Sequence, residues 1–107
     1  MLWLAQHQLK SKSARIRRQA LEKMRDGAAA AVVPILAKIL QRDRDAGVRA
    51  TAAAVLGDYK EEASFNALVA ALTDAAVEVR AAAVEGLRQV GDVGAGPALA
   101  PLLESGE

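Results

Sequence analysis

The sequence predicts an all-α fold: a right-handed α-solenoid of about three helix hairpins that follow a leading helix. Two observations predict it. A motif of a valine, an arginine and a run of alanines ending in leucine occurs twice, in residues 46–56 and 77–87. Within each repeated unit, apolar residues fall twice at helical spacing, with turn residues between the two stripes. Such self-similarity is typical of stacked supersecondary units.

The repeat is defined by an alignment of Arg17, Arg49 and Arg80, which lie 32 and 31 residues apart. The same alignment brings apolar residues into register at four further offsets, which a chance match would not do. They follow the arginine by three, seven, nineteen and twenty-three positions, namely Ala20, Ala52 and Ala83; Met24, Leu56 and Leu87; Leu36, Leu68 and Leu99; and Leu40, Leu72 and Leu103. Each unit is therefore predicted to be one helix hairpin.

The predicted hairpins occupy about residues 13–42, 45–73 and 74–104, after a leading helix at 1–10. Together they form a single domain that covers 1–107. The leading segment aligns with the second helix of a unit, which indicates that the chain begins partway through a repeat. It is then either capped by a lone helix or a fragment of a longer array.

Glycine and proline mark the predicted helix ends. Gly57 and Gly91 stand where a first helix should end, since glycine accepts the left-handed backbone of a helix C-cap. Pro34 and Pro97 both lie seventeen residues after the arginine of their unit and fit a first helical turn. The apolar run before Pro34 means that its helix either begins late or is kinked there.

Composition excludes several classes of protein. The 107 residues are 52% hydrophobic, enough for one domain with a core. Because the chain has no cysteine, it has no disulfide, thiolate metal site or cysteine nucleophile, and no metal or cofactor is expected. The longest stretches without a charged residue are 11 residues, too short to cross a bilayer. A protein without membrane association and in the cytoplasm is the simpler interpretation.

The sequence offers no catalytic set. His7 is the single histidine, so a histidine pair at metal-binding spacing does not exist. The glycine-rich segment 91–96 follows a helix rather than a strand and has the wrong glycine order for a dinucleotide site. Glu61 and Glu62 are adjacent, and adjacent residues on a helix point in different directions. The chain is predicted not to be an enzyme.

Charge is unevenly distributed along the chain. Residues 10–26 carry seven basic and two acidic residues, whereas the rest of the chain carries seven basic and eleven acidic ones. The basic helix could contact phosphates or an acidic protein partner. The candidates for such contacts are Lys10, Lys12, Arg15, Arg18, Lys23 and Arg25.

The aligned columns resemble HEAT-like repeats of the short type first noted in phycobilisome lyases, which belong with the armadillo-like solenoids. Their signature is an aspartate, then valine and arginine, then an alanine-rich helix ending in leucine and glycine. The second unit carries Asp43, Val48, Arg49, Ala52, Ala53, Leu56 and Gly57, and the third Asp74, Val79, Arg80, Ala82, Ala83 and Leu87. The third unit has Arg88 in place of the glycine, and the first has Ser11 in place of the aspartate.

The repeated arginine is predicted to act as a structural clamp. Arg17, Arg49 and Arg80 can each lay an aliphatic stem over the neighbouring unit and direct the guanidinium at an aspartate in the loop between repeats. Asp43 and Asp74 lie six residues before an arginine and could also cap the helix that follows.

The resemblance implies a non-catalytic scaffold that docks a protein partner. Stacked units leave a concave face lined by the second helices, where Lys38, Ala70 and Ala71 are candidates by periodicity. Nucleic-acid binding through the basic helix is one alternative, and a helper or lyase-like subunit of an enzyme is another. Uncapped terminal repeats would also permit self-association.

Overall fold

A computed structural model of the chain describes residues 2–91, and these residues are helical with short connections. Within them the structure has six α-helices and one short 3-10 helix, and no strand. The α-helices are α1 (Leu2–Gln8), α2 (Ala14–Glu22), α3 (Ala29–Arg42), α4 (Ala46–Leu56), α5 (Glu62–Ala71) and α6 (Val77–Val90); the 3-10 helix, Lys23–Asp26, continues α2. The predicted all-α class is confirmed.

The helices form two layers that stack along the chain. First helices pack on first helices, α2 on α4 and α4 on α6, while the second helices α3 and α5 pack on each other. Helices α3 and α4 of consecutive units also pack together, as do α5 and α6. Each unit contacts its neighbours in sequence, which is the arrangement of an α-solenoid. The predicted second helix of the third unit, with Pro97, Leu99 and Leu103, lies outside the described residues.

Small residues let the first helices approach closely. Ala20, Ala52, Ala53 and Ala83 are fully buried. On α6, a Cβ added at Gly86 would lie 3.0 Å from a methyl group of Leu68 and 3.1 Å from the carbonyl oxygen of Ala53. The alanine columns of the sequence are therefore the contact surface between repeats, where larger side chains would force the helices apart.

The two predicted glycine caps have different explanations. Gly91 follows α6 with a φ of +70°, a conformation that glycine adopts at little cost. Gly57 follows α4 with a helical φ of −60°, so it is not a left-handed cap as predicted. A Cβ at Gly57 would lie 2.3 Å from the side-chain oxygen of Gln89 and 3.1 Å from the Cα of Gly86. Close approach of α6, rather than backbone conformation, explains glycine there.

Pro34 lies inside α3 and not in its first turn. The helix begins five residues earlier, at Ala29, because Val32 and Val33 are buried in the core and hold this stretch in helical register. Proline removes the bond that its N–H would give to the carbonyl of Ala30. Ala30 and Pro34 both lie on the exposed side of the helix, where water can replace the missing donor.

Tyr59 joins the first two units from the turn between α4 and α5. Its buried hydroxyl donates to the carbonyl oxygen of Met24 and accepts from the N–H of Gly27 at 3.1 Å. Burial raises the pKa of this hydroxyl above its usual value. One side chain thus satisfies two backbone groups where the first unit turns from its 3-10 helix into α3.

Candidate functional site

Arg49, in the first turn of α4, binds the loop between the second and third units. Its Nε and Nη2 donate to the two carboxylate oxygens of Asp74 at 3.0 and 3.1 Å. Its Nη1 donates to the backbone carbonyl of Asp43 at 2.7 Å. The side chains of Arg49 and Asp74 are 15% and 12% exposed. This is a bidentate ion pair with a third anchor, shielded from most of the solvent.

Arg17 repeats this geometry one unit earlier. Its Nε and Nη2 donate to the carboxylate of Asp43 at 3.0 and 3.2 Å, and its Nη1 to the backbone carbonyl of Ser11 at 2.7 Å. The residue six positions before the arginine therefore contributes only its backbone. That is why Ser11 can stand in the place of an aspartate without loss of this contact.

Arg80 makes the backbone part of the same arrangement. Its Nη1 donates to the carbonyl oxygens of Asp74 at 2.7 Å and of Ala75 at 3.1 Å. The spacing of the first two ion pairs would put the matching carboxylate at position 105 or 106, where the sequence has serine and glycine. Those positions lie outside the described residues.

The aspartate pairs with the arginine of the preceding unit rather than with the one six residues after it. The carboxylate of Asp43 binds Arg17, while its carbonyl binds Arg49. Each such loop is therefore held from both sides. We call the set of Arg17, Arg49 and Arg80 with Asp43 and Asp74 the arginine ladder.

The aspartates of the arginine ladder are not the helix caps. The N-cap of α4 is Asp45, whose side chain accepts from the N–H of Val48 at 2.9 Å, and the N-cap of α6 is Ala76. Asp43 and Asp74 instead accept from the backbone N–H of these two cap residues, each at 2.9 Å. The predicted cap is therefore wrong for both aspartates, which lie two residues before the true cap positions.

Electrostatics couples the members of the ladder. The hydrogen bonds from Arg49 hold the pKa of the Asp74 carboxyl below its usual range, with a smaller contribution from the N–H of Ala76. The same bonds raise the pKa of the Arg49 guanidinium. A pair of this kind favours the charged form of both partners.

The basic residues of segment 10–26 divide into paired and unpaired groups. Arg25 bonds Glu22 at 2.7 Å and Asp58 at 2.5 Å, and these bonds, Glu22 first, raise the pKa of its guanidinium. Arg18 lies 3.7 Å from the carboxylate of Asp45. Three of the residues predicted to contact phosphates or an acidic partner, Lys10, Lys12 and Arg15, are exposed and have no ion pair within residues 2–91, whereas Lys23 bonds the side-chain oxygen of Gln8 at 3.2 Å.

Lys10 and Lys12 line a groove together with cations from α3. The groove has a volume of about 610 Å³. Lys38 and Arg42 reach it from α3, and Arg44 from the loop after that helix. We call it the basic groove; its further lining residues are Leu9, Ser11, Arg17, Ile39 and Asp43.

Sequence reasoning missed the α3 side of the basic groove. Periodicity places Lys38 on the concave face and does not single out Arg42 or Arg44. The sequence does contain an indication of this groove, because the leading segment aligns with the second helices of the other units. That alignment places the end of α1 beside the end of α3 in the stack, and so brings two short basic segments together.

A second groove runs between α3 and α5, on the predicted concave face. It encloses about 330 Å³. Both Ala70 and Ala71 line it, the first exposed and the second buried. Half of its lining residues are alanines, and Asp74 is its charged residue. It presents few groups that would orient a ligand.

The part of the chain that the structure describes shows no metal-binding cluster. Between residues 2 and 91, no three histidine, cysteine, aspartate or glutamate side chains converge as metal ligands would. His7 is exposed on α1, beside Trp3, Gln6 and Lys10. None of the helices in this range combines the length and apolar character needed to cross a membrane.

Stacked hairpins joined by repeated arginine–aspartate contacts define an α-solenoid repeat protein. The family model of HEAT repeats matches residues 33–107, and the chain belongs to the HEAT repeat family. The resemblance drawn from the sequence is thereby confirmed. HEAT repeats generally serve as scaffolds for protein interaction and are typically non-catalytic. A comparison with curated proteins finds no match.

Proposed function

We propose that the chain is a non-catalytic docking module that binds a protein partner on the surface of its solenoid. The observation that carries the proposal is the arginine ladder, in which two consecutive joints share one geometry to within about 0.1 Å in every hydrogen bond. We propose that these bonds fix the stacking angle of the units. A surface held rigid before binding loses little conformational entropy when a partner docks.

Nucleic-acid binding is the second candidate, and the basic groove is the observation that favours it. Against it stand the acidic partners of Arg18 and Arg25, which reduce the charge of the predicted basic helix. The lining of the basic groove also lacks an aromatic residue on which a base could stack. An enzyme-helper role is compatible with docking, since the partner would then supply the chemistry.

A peptide-display selection tests the docking function even while the partner is unidentified. A random peptide library is selected on the immobilised full chain, and enriched clones are challenged with the soluble chain. The expected result is a shared sequence motif whose binding the soluble chain competes away. Failure to enrich any motif, together with binding of a labelled DNA duplex that weakens steeply between about 50 and 200 mM salt, would replace docking with nucleic-acid binding.

A further inference from the structure

We propose that the basic groove binds an acidic segment of a protein partner, with carboxylates on its cations and an apolar side chain against Leu9 and Ile39. The inference rests on the proposed docking function, because it names the part of the surface and the chemistry of the partner. It replaces the predicted site on the first basic helix with a site that the loop after α1, helix α3 and the loop after α3 build together.

Five of the six cations that line the basic groove have no acidic partner within residues 2–91, the exception being Arg17. These five are exposed, and none makes a side-chain hydrogen bond or an ion pair in that range; they are Lys10, Lys12, Lys38, Arg42 and Arg44. The one carboxylate in the lining, Asp43, has both oxygens bonded to Arg17. Lys38 and Arg42 are four residues apart on α3, a spacing at which like charges destabilise a helix. The groove therefore concentrates positive charge that folding does not neutralise.

The lining of the basic groove includes two apolar side chains. They belong to Leu9 and Ile39, which are only partly buried. Clefts of roughly 300–1,000 Å³ hold a drug-sized ligand, so the groove has room for a short stretch of peptide. A peptide can present a leucine or valine next to carboxylates, whereas a sugar–phosphate backbone has no apolar group to place there. The combination of cationic and apolar lining residues favours a protein segment over a duplex.

The position of the groove in the fold favours carboxylates over phosphate groups. Tight phosphate sites add backbone N–H donors from a helix N-terminus to the side-chain cations. This groove lies at the C-terminal end of α3, where the free backbone groups are carbonyls, so that helix end supplies no such donors. The residues that open α2 and α4, Ala14 and Ala46, do not line it. Flexible side chains alone suit several singly charged carboxylates spread along a segment.

Fluorescence anisotropy with defined peptides tests the inference. The probe is a labelled ten-residue peptide of glutamates with two leucines, compared with a glutamine version, a version with serine for leucine, a phosphoserine peptide and a DNA duplex. The full chain is compared with Lys12→Glu/Lys38→Glu. The control is Arg15→Glu/Lys60→Glu, which reverses two exposed cations outside the groove that have no ion pair within residues 2–91.

We expect the acidic leucine peptide to bind, and the groove reversal to weaken its binding by about tenfold or more while the control changes it by about twofold or less. The peptide versions with glutamine for glutamate or with serine for leucine should also bind more weakly. Urea midpoints of all variants are measured so that a folding defect is recognised. Equal effects of the groove and control reversals, or tighter groove-dependent binding of the duplex or the phosphoserine peptide, would overturn the inference.

The two proposals fail in different ways. If display selects peptides that are not acidic, and the groove reversal leaves their binding unchanged, the docking function stands and the basic groove is not its site. If neither the display selection nor the defined peptides give binding, both proposals fail together.

Discussion

Arg49 and Arg25 make the same kind of contact in very different surroundings. Both donate to carboxylates at 2.5 to 3.1 Å. The side chain of Arg49 is 15% exposed, and both of its bonds to Asp74 reach one carboxylate. Arg25 is 36% exposed and divides its bonds between two exposed acids. Distance alone does not determine how strong these ion pairs are. Burial and the geometry of the donors also determine it.

The basic-groove cations other than Arg17 form a third group. They are solvent-accessible like Arg25 but have no acids opposite them within residues 2–91. Cations in these three groups therefore have three settings: buried pairs that join repeats, exposed pairs on the surface, and unpaired cations that line one groove. If burial and pairing determine how much a cation contributes to the free energy of unfolding, substitutions in the three settings should change stability by unequal amounts.

The largest effect is expected from Arg49→Ala. It removes three hydrogen bonds and leaves the carboxylate of Asp74 largely buried without its cation, so the free energy of unfolding should fall by about 3 kcal/mol. Urea denaturation measures it. Arg49→Lys is the matched control and should recover part of the loss, since a lysine restores charge but not the bidentate fork. A loss below about 1 kcal/mol would show that the buried pair is no stronger than a surface one.

Acid should weaken the same joint. Because the folded state lowers the pKa of Asp74, its contribution to stability is fully present above the unfolded value of about 3.9 and is lost as pH falls through the lower folded value. The urea midpoint should therefore drop between about pH 5 and pH 2. Asp74→Asn should make that drop shallower. An identical pH profile in the variant would contradict the ion-pair account.

Arg80→Ala should have a smaller effect than Arg49→Ala. Among the described residues its guanidinium bonds only backbone carbonyls, so no carboxylate of this region is left without its cation. We expect a loss of about 1 kcal/mol in the free energy of unfolding, measured by the same urea series. A loss equal to that of Arg49→Ala would mean that the carbonyl contacts, and not the bidentate pairs, dominate the ladder.

Arg25→Ala should have the smallest effect, within about 0.5 kcal/mol in urea denaturation, although it breaks two short contacts. Surface ion pairs gain little because water solvates both partners and the side chains lose entropy. Added salt of about 0.5 M should reduce even this difference, since exposed charges are screened. A loss above about 1 kcal/mol would place Arg25 with the arginine ladder.

The sequence predicts the solenoid well because each helix is encoded by local periodicity and each joint by an aligned column. The buried alanines and the arginine near the start of each first helix follow from the alignment directly. The alignment does not predict which aspartate pairs with which arginine, because that pairing depends on the distance between stacked units. Arg17 reaches Asp43 across 26 residues, which no local pattern indicates.

The basic groove is only half visible in the sequence for a similar reason. Lys10 and Lys12 belong to an obvious basic run, but Arg42 and Arg44 sit beside Asp43 and Asp45 and appear locally neutral. The structure pairs those aspartates with Arg17 and Arg18. Arg42 and Arg44 are therefore left with no acid opposite them within residues 2–91. Net charge along the chain is therefore a poor guide to net charge in space.

On the proposed function, the basic-groove cations other than Arg17 serve binding and do not hold the fold together. The most direct test is the free energy of unfolding of Lys12→Gln/Lys38→Gln, with Arg15→Gln/Lys60→Gln as its control. Glutamine is chosen because its helix propensity is close to that of lysine and arginine, and Arg15 and Lys38 lie on α2 and α3. Removing mutually repelling charges should leave the urea midpoint of the groove variant equal to or above that of the unmodified chain. A loss of about 1 kcal/mol or more, absent from the control, would instead assign these cations to the structure and contradict the account.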